Sequence, residues 1–299
     1  MTLAQENNII SLIGTEPDGL MPIEIQKLMF VYSKTELTSP LYEFIPYERG
    51  CYSPTLAQDI HKLAERRLLR AVNPGTEKKR WLLTEEGKIR GVGCRAIAER
   101  FVRFRKSYPL RGKELVEDVY RRFPYWAINS TITDLVLRDD GKALKAVQDA
   151  KPKVKFPLAS IGYEGRSFEN YLNALIRHGI DVLCDVRKNP ISRKYGFSMS
   201  SLQKACEGIG VEYRHYPELG IPSYERQDLT CQADYDALFA RYEEKVLPKV
   251  DETVSVIERM VGDGVCVALT CFEANPAQCH RTRILNSITR RTGVEAELI

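Results

Sequence analysis

From Leu158 to the C-terminus one pattern repeats: a short apolar run rich in β-branched residues, a polar loop, then residues at helical spacing. The runs are LASIGY, IDVLCDVR, VEYRHY and VCVALTCFE. Helices are predicted at 167–178, 200–208, 233–261 and 276–292. Strands that alternate with helices pair in parallel, because the helices serve as the crossovers and cover both faces of the sheet. The expected fold class is therefore α/β, with a Rossmann-like parallel sheet in the C-terminal half. In such sheets ligands bind outside the carboxyl ends of the strands, so chemistry is sought in the loops that follow them.

Those loops hold a concentrated set of polar groups. Tyr163, Glu164, Gly165 and Arg166 follow the first run, and Asp185, Arg187, Asn189, Ser192 and Arg193 follow the second. His215, Tyr216 and Glu218 follow the third, and Cys271, Glu273, Cys279, His280 and Arg281 the fourth. Arginine forks at positions 166, 187, 193 and 281 suit phosphate or another polyanion. Tyr163, Tyr195, Phe197 and Tyr216 lie in the same loops and have the faces needed to stack a base, or to pack beneath the loops. His61 and His178 fall within helices and are read as structural.

The pieces SIGYEGRSFENYLNAL, DVRKNPISRKYGF, YRHYPELG and LTCFEANPAQCHRTRI, in this order, resemble the bacterial and archaeal domain-of-unknown-function family 488. The family pattern is similar to a Gly-Tyr-x-Gly-Arg start, an Asp-Val-Arg-x-x-Pro-x-Ser-Arg second element and a closing Cys-x-Glu with Cys-His-Arg. The resemblance covers roughly residues 157–299. It implies an α/β fold and marks Tyr163, Arg166, Asp185, Arg187, Pro190, Ser192, Arg193, Cys271, Glu273, Cys279, His280 and Arg281 as motif positions. It implies no particular reaction.

Read physically, Asn275 is a good N-cap and Pro276 a favoured first helical residue, so a helix is expected to begin there with Cys279 and His280 about one turn in. A thiol near a helix N-terminus with arginines close by is favoured as thiolate, the form that attacks. Cysteine also packs well in cores, and that alternative stays open for Cys279. Glu273 sits two residues after Cys271, on the same side of a strand end. Facing arginines, it is a candidate general acid or base with Asp185 as its partner, or one half of a pair of structural bridges. Cys271, Cys279, His280 and Cys184 offer soft metal ligands, and Cys-x-Glu followed by Pro and Cys resembles the zinc deaminases. The Cys-x-x-Cys pair of that pattern is absent, and adjacent residues of one helix point about 100° apart. No metal and no other cofactor is therefore expected, with zinc left as the lesser alternative.

A chain of 299 residues exceeds one ordinary core, and two domains are the default. Residues 1–90 read as helices followed by a hairpin. Met21-Pro22 opens IEIQKLMFVYS, Ser53-Pro54 opens a helix with Leu56, Ile60, Leu63 and Leu68 at helical spacing, and Asn73-Pro-Gly75 with the charged tip 77–80 separates two apolar runs. This is the layout of a winged helix-turn-helix. The run YEFIPYERGCYSPTLAQDIHKL also resembles the Panacea class of antitoxin-associated domains, whose members carry a Tyr-Gly-Pro-type turn before a helix, although here Cys51 and Tyr52 intervene before Pro54. Residues 91–155 are expected to form a helical linker, and the lysine- and proline-rich stretch 151–157 suggests the domain boundary.

Charge is unevenly spread. Residues 61–106 hold 14 Lys and Arg against 5 Asp and Glu, while the whole chain carries only +4. A local excess of this kind suits a phosphate backbone or forms a solvated helix face. Eight cysteines scattered over the length do not form a disulfide framework and are read as reduced thiols, mostly core filler. No apolar run approaches the roughly 18 residues that span a bilayer, and MTLAQENN lacks the basic flank and apolar segment of a leader, so a cytoplasmic location without membrane contact is expected.

Three functions remain open. The first is a hydrolase acting on nucleic acid or a nucleotide, glycosylase-like or nuclease-like, with an N-terminal DNA-binding module. The second is a thiol enzyme in which Cys271 or Cys279 attacks with His280 as base. The third is a non-enzymatic DNA-binding regulator that senses a small anion. The expected partners are DNA or RNA and a phosphorylated or anionic small molecule.

Overall fold

Helix starts in the N-terminal half are written in the sequence. The Thr2 side chain accepts from the Gln5 N–H ahead of α1 (Leu3–Ile13), Pro22 opens α2 (Pro22–Thr35), and the Ser53 side chain accepts from Leu56 ahead of α3 (Pro54–Glu65). Between α2 and α3 lies a small hairpin, β1 (Ile45–Tyr47) and β2 (Gly50–Tyr52). A second antiparallel hairpin follows α3, β3 (Leu69–Val72) with β4 (Arg80–Leu83), and its tip carries Asn73 and Gly75 at positive φ. Trp81 of β4 exchanges backbone hydrogen bonds with Leu20, between α1 and α2.

The structure is a computed structural model that describes residues 1–154 and 156–299. Two compact units divide at Lys151/Pro152. The region read as a linker, 91–155, contains α4 (Glu85–Val92) at its start, then α5 (Arg95–Ser107), α6 (Gly112–Arg122), α7 (Thr133–Val136) and α8 (Gly141–Asp149). Its expected end, Lys155, lies outside the described residues. The helices pack within the first unit: Tyr32 of α2 stacks on Phe101 of α5 at 4.1 Å and meets Phe104 edge-on at 5.3 Å.

Part of the basic excess is spent internally. Arg66 and Arg90 bridge the buried Glu6 at 2.6 and 2.8 Å, Arg105 reaches Glu16 at 3.0 Å, and Arg111 joins Glu16 to the buried Glu24. Arg67, Arg70 and Lys78 remain exposed around the β3–β4 hairpin.

In the second unit the strands are β5 (Leu158–Gly162), β6 (Val182–Asp185), β7 (Glu212–His215), β8 (Val267–Cys271) and β9 (Ala296–Leu298), in the order β7-β6-β8-β5-β9, all parallel. β5, β6 and β8 are buried throughout, which explains why they read as unbroken apolar runs. α9 (Phe168–Arg177) and α10 (Met199–Gly208) are the crossovers toward β7. α11 (Gln232–Lys245), α12 (Asp251–Gly262) and α13 (Arg281–Thr292) lead back, and their apolar faces pack with Val182, Cys184, Val267, Leu269 and Cys271 on one face of the sheet. The helix expected over 233–261 is two helices, because a 3-10 turn containing Pro248 breaks it at Leu247–Val250.

This order has a mechanical consequence. The chain leaves β6 toward β7 at one edge and leaves β8 toward β9 on the other side, so the connections part between two adjacent strands. A crevice opens there, outside the strand ends, as at the reversal points of other open parallel sheets. No helix among the described residues is long and apolar enough to cross a membrane.

Glu24 provides a test of the first unit. Burial acts to raise its pKa, but Arg111 and the N–H groups of Met21 and Gly112 outweigh burial and hold it below the usual carboxylate value. Its stabilisation is thus complete at neutral pH and is lost as pH falls below the ordinary carboxylate range. Glu24→Gln is expected to cost about 3 kcal/mol or more in urea unfolding at pH 7, and less in acid. Equal stability of variant and wild type at pH 7 would contradict the role of this bridge.

Candidate active site

Backbone bonds hold the loops after β5 and β8 together. The N–H groups of Tyr163 and Glu164 both donate to the Phe272 carbonyl, at 3.1 and 2.9 Å, and the Glu164 carboxylate accepts from the Ala274 N–H at 2.9 Å. Arg281 lies beneath them, 2 % exposed, with Nε on Ser160 Oγ at 2.8 Å and Nη1 on the Glu273 carbonyl at 2.6 Å. Gly162 makes this approach possible, since a Cβ there would overlap the Glu273 carbonyl. Arg281 is a brace that shapes the Glu273 turn, and it does not line the cavity above it.

The loop after β6 has its own internal clamp. Asp185 is fully buried and accepts from the Arg187 N–H at 3.1 Å, from Arg187 Nε at 2.8 Å and from the Tyr213 hydroxyl at 2.6 Å. Arg187 also donates through Nη1 to the Tyr163 hydroxyl at 3.0 Å and the Phe197 carbonyl at 2.8 Å. Burial alone would lower the Arg187 pKa, but Asp185, with help from the Tyr163 hydroxyl, more than offsets burial and raises it. Asp185 is thus fully engaged and lies outside the cavity lining. Tyr163 stacks on the buried Phe197 at 4.3 Å, so this pair packs under the loop, while Tyr195 is 45 % exposed.

Between these clamps, at the crevice between β6 and β8, is a cavity of about 340 Å³. Of the residues singled out from the sequence, Tyr163, Arg187, Asn189, Ser192, Arg193, Cys271, Glu273 and His280 line it, whereas Asp185, Cys279, Arg166 and Arg281 do not. Lys188 and Arg226 also line it. Arg226 pairs with Glu273. It lies eleven residues after the end of β7, beyond the loop stretch that strand positions alone would mark.

The thiols meet at the cavity floor. Cys271 Sγ, Cys279 Sγ and one His280 ring nitrogen lie within 4.8 Å of one another, and all three residues are buried. Their backbone differs from the expected helix. Pro276–Gln278 is a single 3-10 turn, Cys279 is extended (φ −129°, ψ 132°), and His280 is the N-cap of α13. The 100° separation of neighbours within one helix therefore does not apply, and both side chains turn toward Cys271. Cys271 Sγ is 3.9 Å from His280 Nδ1 and 3.2 Å from Glu273 Oε2, while His280 Nε2 is 2.9 Å from the Val186 carbonyl. The Cys279 thiol donating to it pulls the Cys271 thiol well below its usual pKa against the effect of burial, with help from His280 and Arg226. Burial and Cys271 push Cys279 well up. Cys184 stands apart from this cluster, and burial pushes it up to about 12, as for a thiol that fills a core.

Residues 167–288 match the family model of the Domain of unknown function DUF488. The C-terminal half resembles that family. No curated protein and no solved structure matches the chain. The DUF488 match takes in the β6 clamp, the thiol cluster and Arg281, and begins just after the Gly162–Arg166 loop that supports them.

In the DUF488-matching unit, Gly162→Ala is expected to push the Glu273 turn outward. Amide hydrogen exchange at 272–274 should then accelerate while exchange in the first unit is unchanged. Unaltered exchange at 272–274 would show that the turn does not depend on this close approach.

Proposed function

We propose that the second unit is a hydrolase acting on a phosphate-bearing substrate, a nucleotide or a nucleic acid strand, at the cavity between β6 and β8. One observation carries the reading: Glu273 lies in a cavity whose other lining residues include three cations, Lys188, Arg193 and Arg226. Lys188 and Arg193 are exposed and make no ion pair among the described residues, so they are available to a phosphate. Glu273 is mostly buried and pairs with Arg226. An ionised carboxylate in that position takes the proton of an attacking water, and the nearby cations stabilise the charge that develops on the leaving side.

The same reading gives the first unit the task of holding nucleic acid. Helices α1–α3 and the β3–β4 hairpin, with Leu20 bridging to Trp81, follow the order of a winged helix. Arg67, Arg70 and Lys78 place exposed positive charge around that hairpin. A cysteine nucleophile has less support, because Cys271 is 1 % exposed and its 3.9 Å separation from His280 Nδ1 is longer than direct proton transfer needs.

The test is turnover of a panel of nucleotides and short DNA and RNA strands by the full chain. Glu273→Gln is expected to lower kcat by about 10²- to 10⁴-fold, while Lys188→Ala and Arg193→Ala raise KM. Full activity of Glu273→Gln on every substrate the wild type hydrolyses, or no hydrolysis of any of them by the wild type, overturns the proposal.

A further inference from the structure

Two thiols and an imidazole converge in the buried floor of the cavity, and a nucleophile mechanism would use only one of the thiols. Around one tetrahedral zinc ion, sulfur at about 2.3 Å and nitrogen at about 2.0 Å lie roughly 3.5 Å apart, and two sulfurs about 3.8 Å apart. Cys271 Sγ and His280 Nδ1 are 3.9 Å apart, and Cys279 Sγ falls within 4.8 Å of Cys271 Sγ and of a His280 ring nitrogen. A disulfide would need its sulfurs at about 2.05 Å, and all eight cysteines are free.

The surroundings of His280 point the same way. Its Nε2 donates to the Val186 carbonyl at 2.9 Å, which leaves the lone pair on Nδ1, facing Cys271. A ligating histidine is commonly held in this manner by a hydrogen bond from its other nitrogen. The Tyr242 ring meets His280 edge-on at 5.9 Å, and the Tyr242 hydroxyl is tied to the Leu219 carbonyl at 2.7 Å, so the imidazole has little freedom to turn. Cys271 ends a central strand of the sheet, which fixes the second ligand on rigid backbone.

We propose that Cys271, Cys279 and His280 bind a divalent transition metal, zinc by the chemistry of the donor set, with the fourth coordination position open to the cavity. Two thiolates and an imidazole suit borderline-soft Zn²⁺, and a site with three protein ligands keeps one position for water or substrate. Cys271 and His280 line the cavity while Cys279 lies behind them, so the open position faces the substrate side. Binding takes both sulfurs as thiolates and releases the protons they still carry. Glu273 Oε2, 3.2 Å from Cys271 Sγ, is the carboxylate beside that position and would take a proton from a water bound there, chemistry that zinc would supply by lowering the pKa of that water. This last role rests on the hydrolase reading. Metal binding itself does not.

The experiment is elemental analysis of the full chain purified from zinc-supplemented culture, together with Co²⁺ titration of chelator-treated protein. The expected result is about one zinc per chain and, with cobalt, the intense thiolate-to-cobalt charge-transfer and tetrahedral ligand-field bands. His280→Gln and Cys279→Ser should each weaken cobalt binding by more than about 100-fold, while Cys206→Ser, a buried thiol outside the cluster, leaves it unchanged. If Cys279→Ser does not fold, alkylation of wild-type protein decides: Cys271 and Cys279 should resist iodoacetamide until a chelator is added. Absence of zinc with no cobalt bands, undiminished cobalt binding in His280→Gln, or a Cys271–Cys279 disulfide in the purified protein overturns the inference. The two proposals fail separately. Zinc bound without any nucleotide or nucleic acid hydrolysis leaves the metal site and removes the hydrolase, whereas full hydrolysis by a protein that carries no zinc and shows no cobalt bands does the reverse.

Discussion

Arg281 is the interaction on which the site depends. Its guanidinium, buried at the start of α13, reaches β5 through Ser160 and the turn after β8 through the Glu273 carbonyl. A buried arginine that satisfies a hydroxyl and a main-chain carbonyl is costly to displace, so the turn is fixed rather than mobile. Because Glu273, Cys271 and His280 all lie within ten residues of that turn, fixing it fixes them too. Gly162 supplies the space in which the brace works.

The clamp after β6 plays the matching part on the other wall. Asp185 and Arg187 satisfy each other and anchor Tyr163 and Phe197 beneath the loop, so the charged pair serves geometry. What remains for chemistry is then a short set: Glu273, the thiol and imidazole cluster, and the cations Lys188, Arg193 and Arg226 at the same cavity. Strand order places these groups together, since the crevice opens where connections diverge between β6 and β8. Preorganisation by buried clamps is the arrangement that lets a few polar groups act strongly on a bound substrate.

Much of this was legible from residue patterns, and the rest failed for identifiable reasons. Unbroken apolar runs such as VCVALTC gave the parallel sheet because both faces of β8 are covered, and the strand-end rule led to Glu273, Cys271 and His280. Periodicity could not show that Pro276–Gln278 is one turn and that α13 begins five residues later, and that local difference turned two side chains from divergent to convergent. Arg281 and Asp185 looked like substrate groups because a buried brace and an exposed binding arginine have the same letter. Arg226 was missed because it reaches Glu273 from far along an irregular loop. β9 was missed because three residues at a half-exposed edge carry almost no pattern.

The central claim is that the loops after β6, β7 and β8 form one reaction cavity for a phosphate-bearing substrate. Hydrogen exchange of the full chain with and without a saturating nucleoside triphosphate tests it most directly. The account predicts slowed exchange confined to the cavity lining, at 163, 187–193, 221–226, 271–274 and 280. Protection elsewhere, or none at concentrations where binding is independently measured, would contradict it.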